Sequence, residues 1–292
     1  QKMKLILSEE QQFLKDTALS FARDRTPVTH FRSLRDSNNV NCWDSGIWQE
    51  MVELGWSGIL VPEEFGGSDF GIGGISVIMQ ELGKTLTPSP LLATAVLGVS
   101  VIKMLGSEDH KKIYLPKIVS GKITTAFAID EGHHHNPFQI ETSATLSDEH
   151  WVLNGQKVFV LDGASANTIL IVARTSGKPG ESNGLSVFVA NKDSAGLEIS
   201  QISTADCRNY ANISMNNLKL SQEACLGAAD MAGEIVEKVL DLARIDMAAE
   251  MLGNMEEACE VTVNYLKERK QFGVAIGSFQ ALQHRAAKMF CE

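Results

Sequence analysis

The chain has 292 residues, 44% of them hydrophobic and 21% charged, which is enough for about two domains with a sizeable buried core. It carries 26 Lys and Arg against 36 Asp and Glu, so its formal charge is −10. This acidic balance argues against nucleic-acid binding, which depends on neutralising phosphates. The longest apolar stretch, residues 90–105, is short for a membrane span and contains Lys103, and no export leader opens the chain. We therefore expect a cytoplasmic protein without a membrane span.

The five cysteines are widely spaced and form no CxxC pair. Their odd number and wide spacing argue against a disulfide framework and against a zinc site. Three consecutive histidines, residues 133–135, would point alternately from an extended loop and would rarely converge on one ion. We interpret them as a polar, mobile loop and expect no bound metal.

Helical patterns dominate the first third of the chain. Ser8 and Gln11 form a capping-box pattern, in which each side chain bonds an amide at the start of a helix. Apolar residues then recur on one helical face, namely Phe13, Leu14, Ala18, Phe21 and Ala22. A second amphipathic segment begins at Ile47 and stops at Gly55, a natural end for a helix. Further helical patterns cover residues 75–82, 91–105 and 110–118.

The hydrophobic period changes in the middle third. Two apolar runs, residues 151–153 and 157–161, flank Asn154-Gly155, which predicts a hairpin with its turn at these two residues. Residues 168–173 and 185–190 have the composition of further strands. Short strands without intervening helices predict an antiparallel barrel or sandwich.

The helical period returns at residue 228 and persists to residue 268. Nine apolar side chains predict a buried stripe along it: Ile235, Val239, Leu242, Ile245, Met247, Met251, Leu252, Met255 and Val261. A helix of this length usually needs a bundle or an oligomer partner. We therefore predict an α+β chain with an N-terminal α-helical domain (1–122), a central antiparallel β-barrel or sandwich domain (123–227) and an incomplete C-terminal helical bundle (228–292).

Several short motifs occur in an order and spacing typical of one family. They are LGWSGI at 54–59 followed by PEEFGG at 62–67, LPKI at 115–118 with Gly121, LNGQK at 153–157, CLG at 225–227, and ERKQFG at 268–273 with Phe279-Gln280. With these motifs the chain resembles the acyl-CoA dehydrogenase family, as a divergent member, over essentially its whole length. The resemblance implies the same three-domain fold, FAD as cofactor, and assembly into homodimers or tetramers that could also be heteromeric.

The resemblance also implies a reaction. Members of the family oxidise an acyl-CoA thioester: a carboxylate base removes the proton alpha to the carbonyl, and the beta hydrogen leaves as hydride to flavin N5. An electron-transfer flavoprotein is the expected acceptor. Such a site needs a dry slot, donors at the thioester carbonyl and a base aimed at the alpha carbon. We expect an oxidoreductase of fatty acid or other lipid metabolism.

By the same resemblance, a basic segment is assigned to the cofactor. Arg269, Gln271, Phe272 and Gln280 match residues that, in relatives, reach across a subunit interface to the FAD pyrophosphate. A guanidinium suits bidentate contact with phosphate. The alternative is a solvated basic run at the end of a helix.

Two residues of the long helix match substrate contacts. Asp241 and Arg244 are three apart, hence on one face, and correspond to positions near the CoA pantetheine and the acyl slot. The alternative interpretation is an ordinary ion pair on the surface of the helix.

The segments expected at the flavin depart from the family pattern. Asp130 stands where relatives have Thr, and Asn136 where they have a Ser near the flavin phosphate or the thioester. Leu161 replaces a Thr whose hydroxyl is directed at the flavin N5 and O4 edge, which should alter flavin electronics rather than abolish binding. The expected flavin contacts here are Phe127, Ile129, Asp130, Asn136, Phe159 and Leu161, with Asn136 also expected at the substrate. An imidazole of the triple histidine could instead contact a CoA phosphate or an acidic substrate.

The catalytic base cannot be assigned within these residues. Most relatives carry a Glu that corresponds to a position beyond residue 292, and a minority place it on the long helix, where this chain has Ala243. We expect that the last bundle helices are missing from this chain. The alternative is a subunit that supplies no base of its own.

The first functional hypothesis is therefore an FAD-dependent acyl-CoA dehydrogenase. The second is a catalytically degenerate partner subunit of a heteromeric acyl-CoA dehydrogenase of the steroid side-chain type. A third is a flavin monooxygenase or oxidase on the same scaffold, because a fold does not determine its chemistry.

Overall fold

A computed structural model describes residues 6–37 and 39–292 of the chain. Helices occupy the chain up to residue 119, a seven-stranded sheet follows, and a long helix with a short arm completes it. This architecture confirms the predicted α+β fold class. The helices of the first part are α1 Glu9–Arg25, α2 Val28–Asp36, α3 Ser45–Glu53, α4 Ile72–Lys84, α5 Val99–Leu105, which continues a π-helical segment Leu92–Gly98, and α6 Glu108–Val119.

The start of α1 confirms the predicted capping box. The Gln11 amide N–H donates to Ser8 Oγ at 3.2 Å, and the Ser8 N–H donates to Gln11 Oε1 at 3.0 Å. The predicted apolar face is only partly correct: Ala18, Phe21 and Ala22 are buried, whereas Phe13 is 72% exposed. Helix α2 was not predicted, and Leu34 is its only buried side chain.

The strands of the middle part form one sheet rather than two facing ones. They are β1 Thr125–Ala128, β2 Ser143–Ser147, β3 His150–Leu161, β4 Thr168–Arg174, β5 Leu185–Asn191, β6 Leu197–Ile202 and β7 Tyr210–Ser221. Strand β4 pairs antiparallel with β5 and parallel with β1, and the order then runs through β2, β3 and β7 to β6. Only the β1–β4 pairing and a single β2–β4 residue pair are parallel, so the sheet is mixed where a wholly antiparallel one was expected.

The predicted turn at Asn154-Gly155 is wrong. Both residues lie inside β3, and the β2–β3 hairpin instead turns after Ser147, where Asp148 adopts a left-handed φ of 54°. The strand register shifts between Leu153 and Gly155, so the Asn-Gly pair forms a bulge. Gly155 is required there because a Cβ at this residue would lie 2.7 Å from Thr142 Cα.

The long helix α7, Gly233–Glu268, ends at the predicted residue but begins five residues later than the predicted residue 228. It crosses α4 so closely that a Cβ on Gly253 would collide with the carbonyl oxygen of Gln80. The predicted buried stripe is only partly correct, because several of its members are exposed in the described chain: Ile245, Met251, Leu252, Met255 and Val261. The face that is buried includes the polar residues Asp246 and Glu250.

A short arm follows α7. It consists of the two-residue strands β8 Lys270–Gln271 and β9 Val274–Ala275, which pair antiparallel, and helix α8 Gln280–Cys291. No side chain of α8 is buried within the described part of the chain.

Candidate functional site

The residues predicted to contact flavin meet where β1 and β3 end. The Val158 N–H donates to the carbonyl oxygen of Asp130 at 2.8 Å, which holds the chain beyond β1 against β3. Phe127 and Ile129 are buried in the large hydrophobic core, and Leu161 packs against the same core from the end of β3. We call the junction formed by residues 127–130 and 158–161 the strand-end edge.

Phe159 is the one apolar side chain of this edge that is widely exposed. Its ring is 58% exposed, and it lies edge-on to Tyr210 with ring centroids 6.3 Å apart. Its backbone has a left-handed φ of 50°, which is unusual for an aromatic residue and turns the ring away from the sheet. An exposed aromatic ring beside a buried apolar floor is a surface on which a planar ligand can stack.

Asp130 organises the polar side of the edge. Its Oδ2 lies 2.8 Å from Nδ1 of His135, and its Oδ1 accepts the Asn136 N–H at 3.2 Å. This bond of its backbone N–H brings Asn136 close to the edge. All three consecutive histidines are exposed, and the ring of His135 is bonded to Asp130.

Glu131, the residue after Asp130, forms a buried ion pair with Lys157. Lys157, which is fully buried, donates from Nζ to Glu131 Oε1 at 2.6 Å and to the carbonyl oxygen of Ile129 at 2.9 Å. Burial lowers the pKa of Lys157 from 10.5 to about 8, although the Glu131 carboxylate opposes that change. The same lysine keeps the pKa of Glu131 below its usual value, against the cost of burial. Sequence analysis did not single out this pair; the signal was a lysine inside an apolar strand pattern.

A buried arginine, Arg174, lies at the end of β4. Its guanidinium donates to five backbone carbonyls at 2.9 to 3.3 Å and contacts no carboxylate in the described chain; the acceptors belong to Phe138, Ile140, Ser176, Glu181 and Asn183. Its pKa is lowered by burial, since neutral carbonyls compensate its charge only in part. Sequence analysis missed this residue as well.

A second group of ionisable side chains joins the sheet to α7. Asp162 directly follows Leu161 and is buried, which raises its pKa to about 7. Arg208, from the loop between β6 and β7, pairs with Glu250 on α7. One turn earlier, Asp246 accepts a 2.6 Å bond from the Ser76 hydroxyl, and its other oxygen has no partner in the described chain. Burial raises the pKa of Asp246 to about 7.

A cavity of about 390 Å³ lies next to Arg208. Arg35, Cys42, Pro88 and Cys207 also line it, so it separates α2 from the loop between β6 and β7. A smaller cleft shares Cys42, Pro88 and Arg208 and extends to Leu161 and Asp162, among other residues. These openings connect the surface to the end of β3.

The predicted substrate residues on α7 are exposed and paired with each other. Arg244 Nη1 lies 2.6 Å from Asp241 Oδ1 and 3.2 Å from Glu237 Oε1, and all three side chains are about half exposed. The structure does not bring them into contact with the strand-end edge. Ala243, between them, packs against the core with a methyl group and can supply no base.

The predicted phosphate-binding segment lies at the opposite end of α7. Arg269 is 28 residues beyond Asp241, which corresponds to roughly 42 Å along a helix. Arg269, Gln271 and Gln280 are exposed, and Phe272 is 92% exposed, with its ring edge-on to Phe279 at 6.1 Å. Within the described residues, Arg269 forms no ion pair. The chain thus presents two separate groups of predicted cofactor contacts.

The strand-end edge has the properties that a flavin ring requires. Phe159 offers an exposed aromatic face, and Gly132 leaves open space, since a Cβ there would meet nothing within 4 Å. Asp130 is the one charged side chain of the edge and would repel the acceptor atoms of a flavin ring, but His135 and the Asn136 N–H bond its carboxylate. On the arm, Arg269 and Gln271 provide exposed donors suited to a pyrophosphate. We conclude that the residues present fit FAD.

Two further observations concern other classes of site. Within the described residues, no three His, Cys, Asp or Glu side chains are placed to hold a metal ion, and the five cysteines are not bonded to one another. None of the helices in this part of the chain is both long and apolar enough to cross a bilayer.

Comparison with protein families gives three matches in chain order. The acyl-CoA dehydrogenase N-terminal domain matches residues 8–122, the middle domain residues 127–220 and the C-terminal domain residues 233–292. Among curated proteins, the acyl-CoA dehydrogenase FadE12 of Mycobacterium tuberculosis is 28% identical over 291 residues, which cover 98% of this chain and 74% of FadE12.

Solved structures also superpose on nearly the whole of this chain. A structure described as PigA with FAD and proline superposes with a TM-score of 0.87 at 25% identity, over 99% of this chain and 76% of that one. A structure of the Tcur3481-Tcur3483 steroid ACAD superposes with a TM-score of 0.84 at 27% identity, over 97% of this chain and 73% of that one.

Proposed function

Because the chain belongs to the acyl-CoA dehydrogenase family and is thus an oxidoreductase, we propose that it is an FAD-dependent enzyme that oxidises an acyl-CoA thioester to the 2,3-enoyl form. The observation that carries the proposal is the strand-end edge, where an exposed Phe159 adjoins a buried apolar floor. Bound FAD would supply the hydride acceptor. An electron-transfer flavoprotein is the proposed acceptor of the electrons.

The roles proposed for the residues follow from their positions. Phe159 stacks on the flavin ring, Phe127 and Ile129 form the apolar floor, and Leu161 excludes water from the ring edge. Asp130 holds His135 and Asn136 in place, and Asn136 offers its side-chain amide to the thioester or to a flavin phosphate.

The exposed arm provides the remaining cofactor contacts. Since the side chains of the arm are exposed, we propose that Arg269, Gln271, Phe272 and Gln280 contact FAD held by a second subunit. Asp241 and Arg244 are proposed to bind the CoA part of the substrate, which requires Arg244 to exchange an exposed carboxylate partner for the ligand. Exposed ion pairs contribute little stability, so this exchange costs little.

The first experiment is the visible spectrum of the purified protein, followed by quantification of the flavin released on denaturation. We expect one FAD per subunit and, with a dye acceptor, turnover of at least one acyl-CoA. Arg269→Gln should weaken FAD binding at least tenfold without changing the unfolding temperature, because Arg269 forms no ion pair in the described chain. Lys267→Gln, at a neighbouring exposed position, is the matched control. A protein that binds no added FAD contradicts the proposal.

A second candidate function is that of a catalytically degenerate partner in a heteromeric enzyme. It is favoured by Ala243, which removes one possible base, and by Leu161 and Asp130, which remove hydroxyl groups at the flavin edge. This hypothesis predicts a protein that is inactive alone and that gains about half a flavin per subunit with a competent partner. An active, flavin-loaded homo-oligomer would exclude it.

A further inference from the structure

The loop between β1 and β2, residues 129–142, carries Asp130 and Asn136 and contains no helix or strand, although the structure describes all of it. Its own backbone bonds are few and short in range: Gln139 N–H to Asn136 at 3.1 Å and Ile140 N–H to Phe138 at 2.8 Å. Such a segment has little to fix its conformation by itself, because ordering each residue costs about 1–2 kcal/mol of backbone entropy. Its shape therefore depends on side-chain bonds, and two of the side chains that make them lie outside the loop.

The first such group is Lys157, on β3. It is fully buried and binds the beginning of the loop at the Ile129 carbonyl and at Glu131. The Glu131 carboxylate in turn accepts the N–H groups of Glu141 at 2.6 Å and Thr142 at 3.1 Å. One buried charge pair therefore joins the first and last residues of the loop.

The second group is Arg174, on β4. Two of its five carbonyl acceptors, Phe138 at 3.0 Å and Ile140 at 3.0 Å, belong to the second half of the loop. The other three lie in the turn between β4 and β5. The guanidinium thus fixes the loop relative to that turn and to β4 itself.

We infer that Lys157 and Arg174 are positioning residues, which hold the loop of residues 129–142 so that Asp130 and Asn136 face the cofactor site. The inference rests on the proposed function, since it concerns the binding of FAD at the strand-end edge. The segment between the two anchored parts, residues 132–137, contains the triple histidine. Within this segment, the His135 ring and the Asn136 N–H both bond the Asp130 carboxylate. Asp130 precedes Glu131, the residue that Lys157 holds.

Stability alone does not account for these buried charges. Replacing a buried ion pair by apolar groups is often neutral or stabilising, whereas removing one partner is strongly destabilising. The charged groups also fix the position of the loop, because Lys157 bonds the Ile129 carbonyl and Arg174 bonds the Phe138 and Ile140 carbonyls. A positioning role and a merely stabilising role therefore predict different behaviour for a double replacement.

The test uses the full chain with Lys157→Met, with the double variant Lys157→Met/Glu131→Gln, and with Lys157→Arg as the conservative replacement. Lys219→Met, at an exposed position of β7, is the matched control. Three quantities are measured: hydrogen exchange of residues 130–142 without FAD, the dissociation constant for FAD, and the visible spectrum of bound flavin. Unfolding in urea reports stability separately.

We expect the single variant Lys157→Met to be destabilised, because it leaves the Glu131 carboxylate buried without a cation. The double variant should recover stability but exchange its loop amides at least tenfold faster and bind FAD at least tenfold more weakly, with a shifted flavin spectrum. Lys157→Arg should recover part of the affinity, and the Lys219 control should match the wild type.

Two results would overturn the inference. One is a double variant whose loop exchange equals that of the wild type, and the other is faster exchange with unchanged FAD affinity and spectrum. A wild-type protein that binds no FAD would contradict the proposed function instead, and the exchange measurement would still decide whether Lys157 holds the loop.

Discussion

Asp246 is buried between α7 and α4 with one carboxylate oxygen bonded to Ser76 and the other without a partner in the described chain. Its pKa is raised from 3.8 to about 7 because burial disfavours the charged form. Because the pKa of Asp246 is higher in the folded state than in the unfolded state, protonation of Asp246 stabilises the folded state. This contribution to stability is complete below pH 3.8 and is lost as the pH rises through about 7. Above pH 7 the folded state must hold an ionised, half-paired carboxylate.

The magnitude follows from linkage. Between pH 5.5 and pH 8 the unfolded state stays ionised while the folded state loses its proton, which lowers the free energy of unfolding by about 2 kcal/mol. Asp246→Asn removes this dependence and keeps a carbonyl oxygen for the Ser76 hydroxyl. We therefore expect the variant to be more stable than the wild type at pH 8, with a much smaller gain at pH 5.5.

The assay is urea unfolding at both pH values, with Asp241→Asn as the control. Asp241 is exposed on the same helix, so its replacement should leave the pH dependence unchanged. The burial argument is refuted if Asp246→Asn shows the same difference in stability between pH 5.5 and pH 8 as the wild type.

Two further predictions concern the helices. Gly253→Ala should lower the free energy of unfolding by about 1–3 kcal/mol, because the new Cβ collides with the Gln80 carbonyl at the crossing of α4 and α7. Gly132→Ala, where a Cβ meets nothing within 4 Å, should change it by less than about 0.5 kcal/mol in the same urea titration. Ser8→Ala should cost about 1 kcal/mol by removing the cap of α1, and equal unfolding midpoints would show that Gln11 alone caps this helix.

Most of the secondary structure could be predicted from local patterns. The capping box at Ser8, the break at Gly55 and the end of α7 at residue 268 depend on neighbouring residues in the chain, so short-range chemistry is sufficient to specify them. The ordered motifs likewise identified the family without any knowledge of contacts. These features share a physical basis, since each arises within a few residues or within one helical period.

Tertiary contacts determine which conformation a local pattern adopts and which face of a helix is buried. Asn154-Gly155 has the composition of a turn, yet pairing on both sides and the close approach of Thr142 keep it inside β3 as a bulge. Several apolar residues of α7 are exposed, while Asp246 is buried, because the face of the helix that is covered depends on where α4 crosses it.

Only part of the candidate site could likewise be predicted from the sequence. Phe159 and Asp130 could be named from the motifs, but their surroundings could not. Arg174 binds the carbonyls of Ile140 and Phe138, which are 34 and 36 residues away in the chain, and Lys157 binds the Ile129 carbonyl, 28 residues away. Backbone carbonyls carry no residue-specific signal, so only the folded chain reveals which of them a buried cation binds.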